Sequence, residues 1–233
     1  MTGSSANLTV NVLRVFVDES GEFGNLLGIV DGEAVPSDQR QQVAAAVGYS
    51  ETVFVEDPDV GQVQIFTPAV ELPFAGHPTV GTAWWLRQQG HGAARLLTRA
   101  GPVDVTHEAT LTWIRARAGW TTPFEWHELP DQQTVDRADP ADYPGGPHYL
   151  WAWVDQATGR LRSRMFAAAF GIIEDEATGA AAISFTDLQK RDLDITQGRG
   201  SRIYTRWEGD GWARLGGRVV SEPSRTIAAE PGR

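Results

Sequence analysis

Phe66 to Ala83 reads FTPAVELPFAGHPTVGTA, and Phe166 to Ala181 reads FAAAFGIIEDEATGAA. Each stretch leaves a strand at Phe, crosses a short apolar loop and sets a polar residue, His77 or Asp175, before small residues that predict a helix. Glycine follows each polar residue four positions on, at Gly81 and Gly179, and the copies lie 175 − 77 = 98 residues apart. The repetition predicts two similar halves, each presenting a helix N-terminus. The first N–H groups of a helix lack intrahelical partners and carry the positive end of its dipole, so two facing starts make a cleft suited to a small carboxylate.

Outward from the first copy, Val10 to Val17 (VNVLRVFV) is rich in β-branched residues and predicts a buried strand, with a second strand at Leu26 to Val30 after a turn-rich stretch. Ser37 is placed to cap a helix over Asp38 to Val47, which Gly48 ends in the left-handed conformation. Glu51 to Val55 and Val63 to Thr67 read as strands, and Pro78 opens a central helix over residues 78–90. Three further strands follow, at Ala94 to Leu97, Val103 to Thr106 and Leu111 to Arg117. Trp120 to Pro147, with seven Pro or Gly residues and little periodicity, reads as a long connection dividing the halves 1–120 and 121–233. In the second half a hairpin joins Tyr149 to Val154 with Leu161 to Phe166, a central helix covers 176–188, and a last strand pair spans Arg202 to Trp207 and Trp212 to Val220. The polar tail from Glu222 to Arg233 reads as loose, or the last segment packs back on the first half.

Composition excludes several classes of function. The 233 residues contain no cysteine, which removes disulfides, thiolate metal sites and thiol nucleophiles together. Net charge is −10 and no basic patch stands out, so no nucleic-acid partner is expected. No apolar run reaches the roughly 20 residues of a membrane span, and MTGSSANLTV has neither the basic start nor the apolar stretch of a secretory signal. The expectation is a soluble cytoplasmic protein with no membrane partner, in which the Asn7-Leu8-Thr9 sequon is idle. The five histidines, at 77, 91, 107, 127 and 148, form no HxH or HxxxH pair; a metal site would need carboxylates brought in across the fold, and none is expected. Gly21, Gly24 and Gly28 do not make the GxGxxG spacing of a dinucleotide loop.

Four motifs together resemble the PhzF-like family, the phenazine-biosynthesis isomerases and their relatives, which share the diaminopimelate epimerase fold. They are Val15-Phe16 through Gly24-Asn25-Leu26-Leu27, the Ser50-Glu51-Thr52-Val53-Phe54-Val55 strand, PFAGHPTVGTA, and Arg164-Met165-Phe166 through GIIEDEATGAA. The resemblance implies an α+β fold of two pseudo-symmetric halves, each a curved, mostly antiparallel β-sheet wrapped around a central α-helix, with the active site between the helix starts. It implies cofactor-independent isomerisation or tautomerisation of a small carboxylic acid. Glu51 moves the proton, and His77 and Asp175 hold and polarise the substrate. Asn25, Ser50, Gly76, Gly179, Ala180 and Gly198 are the implied substrate-binding positions, with backbone N–H groups near Gly76 and Gly179-Ala180 receiving the carboxylate. Homodimers are frequent in that family.

Two-thiol stereoinversion, the chemistry of cysteine epimerases of this fold, is closed to a chain without cysteine. The sequence also departs from the family pattern Glu-Asp-Pro-Ala-Thr-Gly-Ser: Ala180 lacks a hydroxyl, and Glu176 adds a negative charge beside the anion site. The stretch Gln197 to Ser201 is shorter than usual. A non-catalytic member that binds a small acid is the alternative, and exchange of solvent deuterium into a product separates the two.

Overall fold

The β-branched run near the N-terminus forms β1 (Asn7–Val17), whose alternation sends Leu13 and Val15 to one buried cluster and Val10 and Val12 to another. The computed structural model describes residues 7–228, so the expectations for Met1 to Ala6 and for the last five residues lie outside it. After β1 come β2 (Asn25–Asp31), α1 (Arg40–Val47), β3 (Glu51–Asp57), β4 (Gln62–Phe66), β5 (Glu71–Leu72), α2 (Gly76–Gln88), β6 (Arg95–Thr98), β7 (Gly101–Glu108) and β8 (Leu111–Arg117). The second half holds β9 (Glu125–Glu128), α3 (Gln132–Arg137), β10 (His148–Asp155), β11 (Arg160–Ala167), β12 (Ile172–Asp175), α4 (Gly179–Gln189), β13 (Leu193–Gln197), β14 (Ser201–Gly209) and β15 (Trp212–Ala228).

The strands join in the order β1-β2-β3-β4-β6-β7-β8-β15-β14-β13-β11-β10-β9, and β15 also pairs with β1. That extra pairing closes the first part of the sheet into a ring around α2, whose first turns are buried on nearly every side. The rest of the sheet curves over α4. Most pairings are antiparallel; β2–β3, β4–β6, β9–β10 and β11–β13 are parallel. One core cluster runs through both halves, from Val15, Leu27 and Val80 to Ala181, Ile183 and Leu215. This is the expected α+β architecture of two sheet-wrapped helices.

Four details differ from the sequence expectations. A 3₁₀ turn over Ser37–Gln39 precedes α1, so Ser37 lies within that turn and caps nothing, while Gly48 ends α1 at φ 74° as expected. Pro78 is the third residue of α2, where its missing N–H is still one of the four without an intrahelical partner. The supposed connection from Trp120 to Pro147 contains β9 and α3, the latter started by Asp131, which accepts from the Thr134 N–H. Both elements are too short to leave a periodic pattern.

The fourth correction concerns the tail. Far from being loose, residues to Ala228 continue β15 along β1, from Val17↔Arg218 to Asn7↔Ala228. Its residues look polar because no residue from Ser221 to Ala228 is buried, and Glu222 pairs there with Arg14 at 2.7 Å. The change of neighbour along β15 occurs at Gly216-Gly217. An added Cβ there would lie 2.4 Å from the Trp113 ring at Gly216 and 2.2 Å from the Phe16 ring at Gly217. Aromatic rings cover the glycines, and Phe16, at φ 67°, sits in a bulge of β1 where the register shifts.

Candidate active site

The starts of α2 and α4 touch. A Cβ on Gly76 would lie 2.7 Å from the carbonyl carbon of Gly179, and one on Gly179 would lie 3.0 Å from the His77 nitrogen. No side chain caps either helix, so the first-turn amides of both keep their donors directed at the junction. The contact also resets the register of the repeat. Gly76 and Gly179, the facing residues, are 179 − 76 = 103 apart, five more than the sequence spacing of 98. Asp175 therefore does not open its helix as His77 does; it ends β12, and α4 begins at Gly179 after Thr178.

Three titratable side chains converge there. His77 is 4 % exposed and its Nε2 lies 3.5 Å from Oε2 of Glu51, the first residue of β3; neither atom has a hydrogen-bond partner. Burial pushes the Glu51 carboxyl up to about 7, with the neighbouring Ser50 hydroxyl acting the other way. Burial also lowers His77 to about 4, while the Asp175 carboxylate and a hydrogen bond to the Leu26 backbone act the other way. Since Nε2 is unpartnered, that bond is made by Nδ1–H, and the neutral ring turns a lone pair toward Glu51. Asp175 is raised to about 6 by burial and by the neighbouring Glu51 charge, against His77, Thr178 and Asn25.

Asp175 is held on every side. Asn25 Nδ2 donates to Oδ1 at 2.6 Å and the Thr178 hydroxyl donates to Oδ2 at 2.6 Å. Ser50 Oγ in turn donates to Asn25 Oδ1 at 3.4 Å, so β2, β3 and β12 are stitched together across the halves. Fully buried Gln197 donates from Nε2 to the Asp175 carbonyl at 2.9 Å and to the Thr178 hydroxyl at 2.8 Å.

Of the residues singled out in the sequence, Glu51, His77, Asp175, Asn25, Ser50, Gly76 and Gly179 meet at this junction, and Ala180 follows Gly179 in the first turn of α4. Gly198 does not offer a donor, because its N–H is bonded to the Ser163 carbonyl at 3.2 Å; its φ of 59° makes a turn instead. Glu176 is not a bare charge beside an anion site. Its Oε1 accepts from the Arg199 N–H and the Ser201 hydroxyl, both at 2.9 Å, and its Oε2 pairs with Arg199 Nε at 3.1 Å. Thr178 and Gln197 were not singled out: Thr178 reaches Asp175 through a local turn of three residues, and Gln197 arrives only once β13 runs beside β11.

A family model described as phenazine biosynthesis-like protein (PhzC-PhzF) matches residues 13–141, which include Glu51 and His77 and end before Asp175. The chain belongs to the PhzF family. It is 30% identical over 192 residues to a trans-2,3-dihydro-3-hydroxyanthranilate isomerase of Pseudomonas fluorescens, covering 65% of this chain and 69% of that one. A Pseudomonas aeruginosa isomerase of the same name is 28% identical over 255 residues, covering 86% of this chain and 90% of its own. The fold matches the crystal structure of a PhzF-family protein from Enterococcus faecalis with a TM-score of 0.76 at 19% identity, covering 95% and 99% of the two chains. As a PhzF-family member the chain is an isomerase, and without cysteine it is not a two-thiol epimerase. Among the described residues no helix is long and apolar enough to cross a membrane.

Proposed function

We propose that the protein isomerises a small carboxylic acid by cofactor-independent proton transfer, with Glu51 taking a proton from one carbon and returning it to another. The observation that carries this reading is the Glu51 carboxyl poised at about 7, with Oε2 unpartnered beside the His77 lone pair. A group whose pKa lies near the working pH is available in both protonation states, as a shuttle needs. Facing helix starts supply N–H donors for the substrate carboxylate, and neutral His77 accepts or relays the proton that Glu51 carries. Asp175, clamped by Asn25 and Thr178, orients the substrate rather than moving freely.

Trans-2,3-dihydro-3-hydroxyanthranilate, named for the relatives, is the first candidate substrate. Incubation in deuterium oxide should label the product, and Glu51→Gln should abolish labelling while the acid still raises the melting temperature. An unlabelled product, or a fully active Gln variant, would refute proton shuttling by Glu51; ligand stabilisation without any turnover would mark a binding protein. The net charge of −10 supports a role without nucleic acid, and we place the protein in the cytoplasm. We place the protein as a homodimer, the habit of the family, which light scattering on the eluted protein checks.

A further inference from the structure

Glu125, His127 and His148 meet at the far end of the sheet, apart from the residues assigned to catalysis. Glu125 and His127 stand two positions apart on β9 and so project from one face. The strand runs parallel to β10 with His148 opposite Glu125, which adds the second imidazole to that face. His127 Nε2 lies 3.1 Å from His148 Nδ1, and the latter lies 3.3 Å from Glu125 Oε2. One donor atom from each residue lies within 4.8 Å of the other two. Tetrahedral zinc, with bonds of about 2.0–2.1 Å, keeps its donors ~3.3 Å apart, so two measured edges already have that length.

The surroundings favour ligation as well. His148 Nε2 is 3.1 Å from the Pro144 carbonyl, which only accepts, so that nitrogen carries the proton and Nδ1 faces the cluster with its lone pair. An outer bond of this kind is how metal-binding histidines are oriented. The Tyr143 ring packs on both imidazoles, at 5.3 and 5.8 Å between centroids. His148 is 8% exposed and Glu125 63%, so the cluster is walled on one side and open to solvent on the other.

We propose that Glu125, His127 and His148 bind one divalent transition ion of the zinc class, which ties β9 to β10. Two imidazoles and one carboxylate suit zinc or cobalt better than magnesium or calcium, which prefer all-oxygen shells. The sequence expectation was of no metal unless the fold assembled a site with carboxylates; parallel pairing brings two histidines 21 residues apart together with Glu125.

The test uses untagged, metal-stripped full chain titrated with zinc and with cobalt, alongside Glu125→Gln and His127→Gln, both at positions with exposed surface. One zinc per chain, a visible cobalt spectrum, slower amide exchange in β9 with zinc, and a loss of affinity greater than about tenfold in each variant are expected. That bound is the least cost of losing even an outer-sphere partner. The variants should melt like the parent without metal, which separates lost ligation from misfolding. Absence of stoichiometric zinc with no cobalt spectrum, or undiminished binding in either variant, would overturn the site.

Discussion

Glu51 carries two opposing demands, and a single substitution exposes both. Its pKa of about 7 in the folded protein lies above its ordinary 4.5, because burial disfavours the charge. Folded protein therefore holds a proton that the unfolded chain has released, and stability falls as pH rises from about 4.5 to about 7. Glu51→Gln removes the buried charge, so the variant should melt above the parent at pH 8 and lose that advantage at pH 4. Its turnover should drop by about 10²–10⁴-fold, the usual weight of a positioned acid or base. Thermal melts and rates on the same two proteins check this together; a Gln variant less stable than the parent at pH 8 contradicts the burial of the charge. For the parent, kcat/KM should fall as pH drops through about 7 while Glu51 takes up its proton, and any residual rate of the Gln variant should lack that limb.

At the scale of elements, the decisive contact is helix start against helix start. Gly76→Ala would drive a Cβ to 2.7 Å from Gly179 backbone, which cannot rotate away as a side chain does. The two starts must part, and the first-turn amides and His77 move with them. We expect a loss of about 1–3 kcal/mol, the range for overpacking, together with a raised KM for the acid. Gly92→Ala, where a Cβ meets nothing within 4 Å, should change neither. Urea melts and steady-state kinetics on the two variants settle the comparison. This scale also shows what was legible. Small residues in a row after His77 and before Ala181 mark two helices that backbone must approach closely, and the sequence displays them. It does not display that they meet Gly76 to Gly179. The motif match at His77 and Asp175 aligns like residues, whereas the fold aligns helix starts: Asp175 is the last residue of β12, and three residues separate it from α4. Glu176 was misjudged for the same reason: its partners Arg199 and Ser201 arrive from a turn more than twenty residues away.

The whole molecule depends on β15 more than its composition suggests. Its first six residues join β8 to β14, and from Arg218 onward it lies along β1, closing the ring around α2. Charged and polar residues hid this from the sequence, because a strand end with no buried residue reads as a tail. Individually those side chains contribute little: Arg14–Glu222 is a half-exposed pair, and Glu222→Gln should cost no more than about 1 kcal/mol. The backbone ladder is another matter. A chain ending at Gly217 leaves β1 without its neighbour and uncovers Val15, Phe16 and Leu13, which are buried against α2 and β15. Glu51 and Asn25 reach the site through β3 and β2, which hang on β1 in turn. The truncated chain should therefore lose cooperative unfolding and near-ultraviolet circular dichroism, and ligand binding with them. If it instead melted as sharply as the parent and still bound the acid, the ring would be dispensable and the site would rest on the β2–β3 pair and the two helices alone.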